Sequence, residues 1–378
     1  MREVIPYRLT EEQLLCDLHH AYRDASRHKT LRSYKNHEED NLSELCHELY
    51  NRTYRPLPST CFIISDPKKR EVFAADFRDR IVHHLYYNYA HLMLERTFIH
   101  DSYSCIPGRG THYGIRRLEE FIRSESRGYS RPCYVLKMDI RGYFMNINRQ
   151  RLSDICLHSL TRMATHRVNP HAPTTWQELV DMDFVTWLTR ETALLDPTTD
   201  CIRRGKPSDW QSLPHSKSLF HSPQGCGLPI GNLTSQLFSN VYLNQLDQYM
   251  KRTLHCRCYG RYVDDFFVVS HDREWLRSLI PHVRQFLSDA LELTLHEGKT
   301  RIADARCGVE FLGAYIKPWR TYISHQTLKR IEPKIRQLHK EPDTRHRQDA
   351  LASYCGLMSH YSSINIRRRL GMWPLSIL

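Results

Sequence analysis

The 378-residue sequence lacks several features that would assign it to common classes of protein. It contains 12 cysteines but no pair separated by two residues, so neither a zinc ribbon nor a thioredoxin-type site is indicated. No apolar run approaches a membrane span, and the first residues are mixed and charged, unlike a signal peptide. Repeats and low-complexity tracts are absent as well. These absences favour a folded protein with free thiols in a reducing cytoplasm and no membrane partner.

Positive charge is in clear excess. The sequence has 54 Lys and Arg against 42 Asp and Glu, which gives a formal net charge of +12. A charge of this sign favours a polyanionic partner, above all nucleic acid, although charge alone also fits a merely basic soluble protein. The length allows a large core divided over two or three domains.

Local patterns predict helices and strands in alternation. Thr10-Glu-Glu-Gln13 is a capping-box pattern, and Leu14, Leu18 and Tyr22 follow on one helical face. Prolines scattered through 165–227 predict a largely irregular segment, and Pro333 is expected to kink or interrupt a basic helical C-terminal region. Further predicted elements are a helix with Leu42, Leu45 and Leu49, a strand-turn-strand unit over 62–73, a helix through 80–87, a helix over 235–250 and a hairpin over 300–316 that turns near Cys307-Gly308.

Asp264 and Asp265 form the only adjacent Asp-Asp pair of the sequence, within Tyr262-Val-Asp-Asp265. The flanking segments, Cys256–Arg261 and Phe266–Val269, are rich in aromatic or β-branched residues, so they predict a β-hairpin with the carboxylates at its tip. Two carboxylates on a rigid tip suit hard divalent cations such as Mg2+, which prefer oxygen ligands. Considered alone, the pair is explained equally well by a surface turn.

Asp139 supplies a third carboxylate. It ends the apolar strand predicted over Tyr134–Asp139, just before Ile140-Arg-Gly-Tyr-Phe144 turns the chain away. Together with the hairpin tip it would hold two Mg2+ ions, which activate a primer 3′-hydroxyl and stabilise the leaving pyrophosphate. An acidic cap or turn residue is the alternative interpretation of Asp139 alone.

The order and spacing of the motifs resemble those of reverse transcriptases. Lys137–Phe144 and Tyr262–Asp265 are similar to the two catalytic palm motifs of that family. The resemblance covers roughly residues 55–375. It also includes two fingers motifs, Asp66–Arg80 and Asp101–Thr111, a lysine motif, His296–Thr300, and a primer-grip hairpin, Glu310–Gly313.

The resemblance implies an α+β right-hand polymerase with fingers, a ferredoxin-like palm of antiparallel sheet plus helices, and a short helical thumb. The expected domains are an N-terminal helical extension over 1–54, fingers and palm over 55–320 with the irregular insert at about 165–227, and a basic helical thumb over 321–378.

One segment narrows the resemblance to the enzymes of diversity-generating retroelements. In Gly227-Leu-Pro-Ile-Gly-Asn-Leu-Thr-Ser-Gln236, Ile230 stands where most of the superfamily has Gln. Enzymes of this kind copy a template-repeat RNA and misincorporate opposite adenine, and the cDNA replaces a variable repeat in a target gene. Because isoleucine cannot donate or accept the hydrogen bond that a Gln amide offers, nucleotide discrimination would fall. An apolar wall without a role in fidelity is the alternative.

The resemblance also implies roles for single residues. Asp139, Asp264, Asp265 and the backbone carbonyl of Ile140 are expected to hold two Mg2+ ions, with Mn2+ as a substitute. Phe144 resembles the steric gate that favours dNTPs, and Lys299 is expected either near the nucleotide phosphates or paired with a palm acid. The remaining expected sites are Lys68, Lys69, Arg70 and Arg78 for the triphosphate, Arg70 and Ile230 for fidelity, and Lys329, Arg330, Lys334, Arg336, Arg367, Arg368 and Arg369 for the template-primer backbone.

Expected partners are template RNA, primer or cDNA, dNTPs and a small basic ring-forming accessory protein, in a bacterial or phage-encoded cytoplasmic enzyme. The alternatives are another bacterial reverse transcriptase, such as a retron or a free-standing group II-like enzyme, and a non-catalytic RNA-binding scaffold.

Overall fold

The computed structural model describes residues 5–27, 32–66 and 68–372. Pro67 of the predicted basic turn and residues 373–378 of the predicted thumb therefore lie outside the described residues. The helices are α1 Glu11–Ser26, α2 Arg32–Lys35, α3 Glu38–Tyr50, α4 Phe77–Glu95, α5 Thr111–Glu125, α6 Tyr143–Asn146, α7 Arg149–Ala164, α8 Met182–Ala193, α9 Pro207–Gln211, α10 Leu233–Gln248, α11 Arg273–Leu291, α12 His325–Leu338, α13 Arg345–Ser359 and α14 Ile364–Arg369.

The strands are short and fall into three sheets within the described residues. They are β1 Ser59–Ile64, β2 Arg70–Ala74, β3 Tyr134–Asp139, β4 Cys201–Arg203, β5 Tyr259–Tyr262, β6 Asp265–Ser270, β7 Arg301–Asp304, β8 Val309–Phe311, β9 Ala314–Lys317 and β10 Arg320–Ile323. The predicted α+β class is confirmed. Of the helices in the described ranges, none combines the length and the apolar character that a membrane span requires.

The chain divides into two compact units, and the first contains residues 1–100, 140–249 and 285–294. Thr10 caps α1 as the sequence predicts, because its hydroxyl accepts the backbone N–H of Gln13 at 3.2 Å. Leu14 and Leu18 on α1 are fully buried, and α1 packs against α3 and α4. The predicted N-terminal helices are thus confirmed as core elements.

The strand-turn-strand prediction over 62–73 is also confirmed. Strand β1 pairs with β2 in antiparallel register, with Cys61 opposite Phe73, and β4 adds to the other edge of β1 in parallel. The prediction of an irregular 165–227 segment is wrong for residues 182–193, which form α8. Asp181 caps this helix by accepting two backbone N–H groups. Buried Phe184, Val185 and Leu188 give it an apolar face that the surrounding prolines obscured.

Two buried side chains on α4 have pKa values that are shifted in opposite directions. Burial, with the nearby charges of His84 and Arg80, lowers the pKa of His83 to about 4 from 6.5. Burial raises the pKa of Asp79 to about 6 from 3.8. Between pH 4 and 6.5 the unfolded chain binds a proton at His83 that the folded chain does not, so the stability from His83 is lost as the pH falls. For Asp79 the folded chain binds more protons than the unfolded chain between pH 3.8 and about 6. The contribution of Asp79 to stability therefore increases as the pH falls through that range.

Replacing His83 by Gln should remove the first of these contributions. Between pH 7 and pH 5, we expect the wild type to lose about 2 kcal/mol more unfolding free energy than the His83→Gln variant does. Urea unfolding at the two pH values measures the difference. Asp79 is present in both proteins, so its opposite contribution cancels in this comparison. An equal pH dependence in the two proteins would contradict the assignment.

The second unit contains residues 101–139, 250–284 and 295–378, and it is built on an antiparallel sheet of order β5-β6-β3-β7. The predicted strand Tyr134–Asp139 is confirmed with its bounds, and so is the hairpin of β5 and β6. One face of helix α5 carries Ile115, Leu118 and Ile122, which are buried in one core cluster with sheet residues that include Val135 and Phe267.

The predicted hairpin over 300–316 is wrong. Strand β7 pairs with β3, whereas β8 pairs with β9 in a separate sheet of order β8-β9-β10. The turn near Cys307-Gly308 is present, but it connects two sheets. The hairpin that does form, β8 with β9, turns at Leu312 and Gly313, whose φ values of 49° and 82° are both positive. Positive φ at both central residues is the signature of a two-residue type I′ turn.

The C-terminal part of the second unit is mainly helical, as predicted, but it begins with strand β10 over Arg320–Ile323. Helix α12 runs without interruption through Pro333. Proline removes one helical hydrogen bond, and here both Pro333 and Lys329 four residues earlier are exposed. Water can therefore bind the carbonyl that the helix leaves without a donor.

Candidate active site

The second unit brings together the three aspartates that the sequence predicts as catalytic. Asp139 ends β3 and Asp265 begins β6, and the two are direct partners in the antiparallel register. Asp264 lies in the two-residue turn between β5 and β6. The side chains of Asp139 and Asp265 are 16% and 28% exposed. A half-buried carboxylate cluster at one end of the sheet is the result.

The turn that carries Asp264 is held in an unusual conformation. Val263 has a φ of 54°, which is a costly region for a β-branched residue. The hydroxyl of Ser104 accepts the N–H of Val263 at 3.2 Å. The guanidinium of Arg261, which is completely buried, donates to the Val263 carbonyl at 2.9 Å and to Ser102 at 3.3 Å. Both polar groups of the strained residue are therefore satisfied by fixed neighbours.

The segment that supplies Ser102 and Ser104 is itself aligned with β5. The N–H of Arg261 donates to the Asp101 carbonyl, and the N–H of Tyr103 donates to the Arg261 carbonyl, both at 2.9 Å. The side chain of Asp101 is held as well, because Arg117 Nε donates to its Oδ1 at 2.8 Å. The predicted second fingers motif thus forms a strand-like support for the hairpin.

Electrostatics around the aspartates favour a cation. Burial and the neighbouring Asp139 raise the pKa of Asp264 to about 6, and burial likewise raises the pKa of Asp265. Lys137 lies 3.7 Å from Asp265, and the ammonium of Lys299 donates to Asp139 Oδ2 at 2.8 Å. Lys299 thus contacts the palm acid Asp139, and its expected place near the nucleotide phosphates stays a prediction. The two lysines offset part of the carboxylate repulsion.

The residues present fit a divalent metal. Asp139 Oδ1 is buried and has no hydrogen-bond partner within the described ranges, as expected of an oxygen reserved for a ligand. The three aspartates are nevertheless not tightly clustered. In the part of the chain that the structure describes, the group of three possible metal ligands whose atoms all lie within 4.8 Å of one another is His19, Glu38 and Glu39, and not the aspartates. The carboxylate oxygens of the three aspartates are therefore not all within 4.8 Å of one another. The Lys299 ammonium donates to one Asp139 oxygen, Oδ2. The side chain of Ile140 is buried, and a metal contact of its carbonyl stays a prediction.

The first unit brings together Phe144 and Ile230. Both are partly buried and pack against the cluster formed by Cys61, Phe73, Met145 and Leu219. The Ile230 carbonyl accepts the N–H of Phe73 at 2.9 Å, so residue 230 is tied to strand β2.

The predicted triphosphate ligands also lie in the first unit, on or near the β1–β2 hairpin. Lys68 and Arg70 are exposed, whereas the Lys69 ammonium donates to the Ser212 hydroxyl at 2.6 Å. Arg78 differs from them. Its side chain is 15% exposed, forms an ion pair with Glu48 and lies over the ring of Tyr54. Arg78 is thus engaged in internal contacts, and its predicted nucleotide role stays a prediction.

The basic residues of the predicted thumb differ in their surroundings. Arg336 and Arg369 both form ion pairs with Glu332, at 2.7 and 2.9 Å. Lys329 and Arg330 are exposed and show no ion pair within the described residues. The remaining three, Lys334, Arg367 and Arg368, lie on α12 and α14.

Sequence reasoning missed Arg261, Ser104 and Lys137 as residues of the site. A signal for Arg261 was available: it lies two residues after Tyr259 on the predicted strand and therefore shares the face on which Tyr259 is fully buried. A charge on that face needs a buried partner. The contact between Ser104 and Val263 joins residues 159 positions apart and left no local signal.

Replacing Arg261 by Met should leave the Val263 carbonyl and Ser102 without their donor. Because hydrogen bonds to a charged group contribute about 1.5–3 kcal/mol, we expect kcat for nucleotide addition to fall roughly tenfold to a hundredfold. Arg261→Lys should restore part of it. The matched control is Arg257→Met, which removes an exposed arginine four residues earlier. Wild-type kcat in the Arg261→Met variant would contradict the role.

The α+β fold holds together the three carboxylates that the sequence predicts for nucleotidyl transfer. Residues 67–316 match the family described as reverse transcriptase (RNA-dependent DNA polymerase). That match covers more than half of the chain, and the protein belongs to this family. It is accordingly an RNA-directed DNA polymerase, and the family uses divalent metal ions.

Individual proteins show more distant similarity. Protein YkfC of Escherichia coli K12 is 25% identical over 308 residues, which cover 72% of this chain and 70% of YkfC. A telomerase structure from Candida albicans, in complex with a fragment of telomeric RNA, aligns with 75% of this chain at 10% identity and a TM-score of 0.47. Telomerase from Candida tropicalis, truncated from its C-terminal domain, aligns with 71% at 11% identity and a TM-score of 0.49. The alignments span 50% and 56% of those telomerase chains.

Proposed function

We propose that this RNA-directed DNA polymerase belongs to a diversity-generating retroelement. It copies a template-repeat RNA into cDNA with errors opposite adenine, for mutagenic retrohoming into a variable gene. The observation that carries this proposal is Ile230, followed by Gly231-Asn-Leu-Thr-Ser-Gln236. By the resemblance, most of the superfamily has Gln at position 230.

The surroundings of Ile230 support a role for its side chain. Gly231 has a φ of 127°, and a Cβ there would lie 2.9 Å from Val72 Cγ1 and 3.0 Å from the Phe73 carbonyl oxygen. With the hydrogen bond from Phe73, this close approach fixes the backbone at residue 230 against β2. The residue at this position therefore presents its side chain from a rigid backbone. An apolar side chain offers the nucleotide shape but no hydrogen bond, so discrimination decreases.

The chemistry proposed for the carboxylates is nucleotidyl transfer. Asp139, Asp264, Asp265 and the carbonyl of Ile140 would hold two Mg2+ ions, with Mn2+ as a substitute. When bound, these ions supply the Lewis-acid activation of the primer 3′-hydroxyl and stabilise the leaving pyrophosphate. Lys299 orients Asp139 through its hydrogen bond to Oδ2, and Lys137, 3.7 Å from Asp265, helps to orient that carboxylate.

Nucleotide and nucleic acid are bound by residues outside the carboxylate cluster. Phe144 excludes the ribose 2′-hydroxyl, and Lys68, Lys69 and Arg70 bind the triphosphate, with Arg78 as an additional cation. Arg70 acts in fidelity together with Ile230. The predicted thumb cations contact the template-primer backbone, which makes binding dependent on salt. The exposed Lys329 and Arg330 are the members most available for this role.

The proposed partners are the template RNA, the primer and growing cDNA, dNTPs and a small basic accessory protein that forms a ring. A cytoplasmic enzyme encoded by a bacterium or a phage fits this set. The proposed division of the chain is an extension over 1–54, fingers and palm over 55–320 and a thumb over 321–378.

A retrohoming assay tests the proposal. Cells that express the enzyme, its accessory protein and a marked template-repeat RNA should acquire substitutions in the variable repeat at positions that are adenine in the template. Faithful cDNA without transfer would instead favour a retron or a free-standing group II-like enzyme. If the wild-type enzyme made no cDNA at all, a non-catalytic RNA-binding scaffold would be favoured.

A further inference from the structure

A buried carboxylate, Glu71, fastens a separate segment of chain to the β1–β2 hairpin. Its side chain is 1% exposed and accepts three hydrogen bonds. The donors are the indole N–H of Trp210 at 3.0 Å, the Ser218 hydroxyl at 3.0 Å and the Leu219 backbone N–H at 2.6 Å. All three donors lie within residues 201–221, which we name the brace segment. A buried carboxyl group that accepts three hydrogen bonds is a strong and specific anchor.

The brace segment contacts the hairpin at further points. Strand β4 pairs along β1 in parallel register, and the Arg204 N–H donates to the Cys61 carbonyl at 2.8 Å. Ser212 accepts the hydrogen bond from Lys69. Residues alternate between the two faces of β2, so Glu71 is held by the brace segment while its neighbour Arg70 stays exposed on the other face. The brace segment therefore fixes the hairpin that carries the predicted triphosphate ligands.

The same segment also forms part of the cluster that holds Ile230. Trp210 and Phe220 pack, partly buried, against the core cluster on which Ile230 and Phe144 rest. The Phe220 ring lies 5.5 Å from that of Phe73, the residue whose N–H binds the Ile230 carbonyl. Ile230, Phe144 and the β1–β2 hairpin thus share one support, and the brace segment is a component of it.

We propose that the brace segment determines nucleotide specificity, with Glu71 and Trp210 as positioning residues. It sets the position of the triphosphate-binding hairpin and of the apolar surface at Ile230. This inference rests on the nucleotide roles given above for Ile230, Phe144 and residues 68–70. Weakening the anchor should allow the pocket to accept mispaired nucleotides opposite every template base, so that errors are no longer confined to adenine.

Single-nucleotide insertion kinetics test the inference. In Glu71→Gln the shape is kept, but an amide N–H faces donors and leaves at least one of them without an acceptor. In Trp210→Phe a smaller aromatic ring replaces the indole, and the indole N–H is lost. For both variants we expect KM for the correct dNTP to rise about fivefold to tenfold with kcat within about twofold of wild type. We expect insertion errors opposite C, G and U to rise by a similar factor.

Trp319→Ala is the matched control, because it removes a tryptophan that is 68% exposed; it should leave both kinetic constants unchanged. The double variant Glu71→Gln/Trp210→Phe should show less than the product of the single effects, since residues 71 and 210 are direct partners in the same anchor. Wild-type KM and error rates in both folded single variants would overturn the inference. A wild type without adenine errors would refute the proposed function instead, and the change in KM would still decide the role of the brace segment.

Discussion

Asp264→Asn should reduce RNA-templated primer extension by roughly a thousandfold or more. The substitution keeps the size of the side chain and removes the negative charge that a divalent cation requires. Asp139→Asn should have an effect of the same order, because Asp139 is paired with Asp265 across the sheet and faces the same cluster. Steady-state extension of a DNA primer on RNA with Mg2+ measures both variants.

A stability measurement distinguishes this loss from unfolding. The pKa of Asp264 is raised by burial and by Asp139, so the ionised carboxylate costs the folded state free energy at neutral pH. Asp264→Asn removes that cost and should melt at or above the temperature of the wild type without added metal. Asp289→Asn, which changes an exposed aspartate, is the control for both measurements. Extension at the wild-type rate by Asp264→Asn would exclude the carboxylate cluster as the catalytic centre.

Ile230→Gln should lower misincorporation opposite template adenine by about tenfold to a hundredfold while DNA synthesis continues. One hydrogen bond from a Gln amide contributes on the order of 1–3 kcal/mol to discrimination, which corresponds to that range. Ile230→Val is the matched control, because it keeps an apolar branched side chain on the same fixed backbone and should keep the errors. Sequencing of the cDNA measures the substitution rate at each template base. Unchanged errors in Ile230→Gln would show that this residue has no role in fidelity.

Much of the carboxylate site was predictable because its parts are local. Strand β3 ends at Asp139 as expected, since an apolar run is followed by Arg141-Gly142, where Gly142 adopts a φ of 57°. The turn at Val263 and Asp264 was also predicted, because aromatic and β-branched flanks indicate strands on both sides.

The missed features depend on tertiary contacts. Strands β7 and β8 are short and close in sequence, so a local hairpin was the simplest interpretation, yet β7 gains a partner in β3. Local sequence also gave no means of predicting that Glu71 would bind a segment about 140 residues away. The prolines around α8 concealed a helix whose apolar face is defined by packing rather than by propensity.

We propose that this polymerase misincorporates nucleotides selectively opposite template adenine. The most direct test of this proposal is the error spectrum of cDNA that the wild-type enzyme makes on an RNA template with all four bases, with and without the accessory protein. We expect substitutions concentrated at template adenines. Errors spread evenly over the four bases, or rare at all of them, would contradict it.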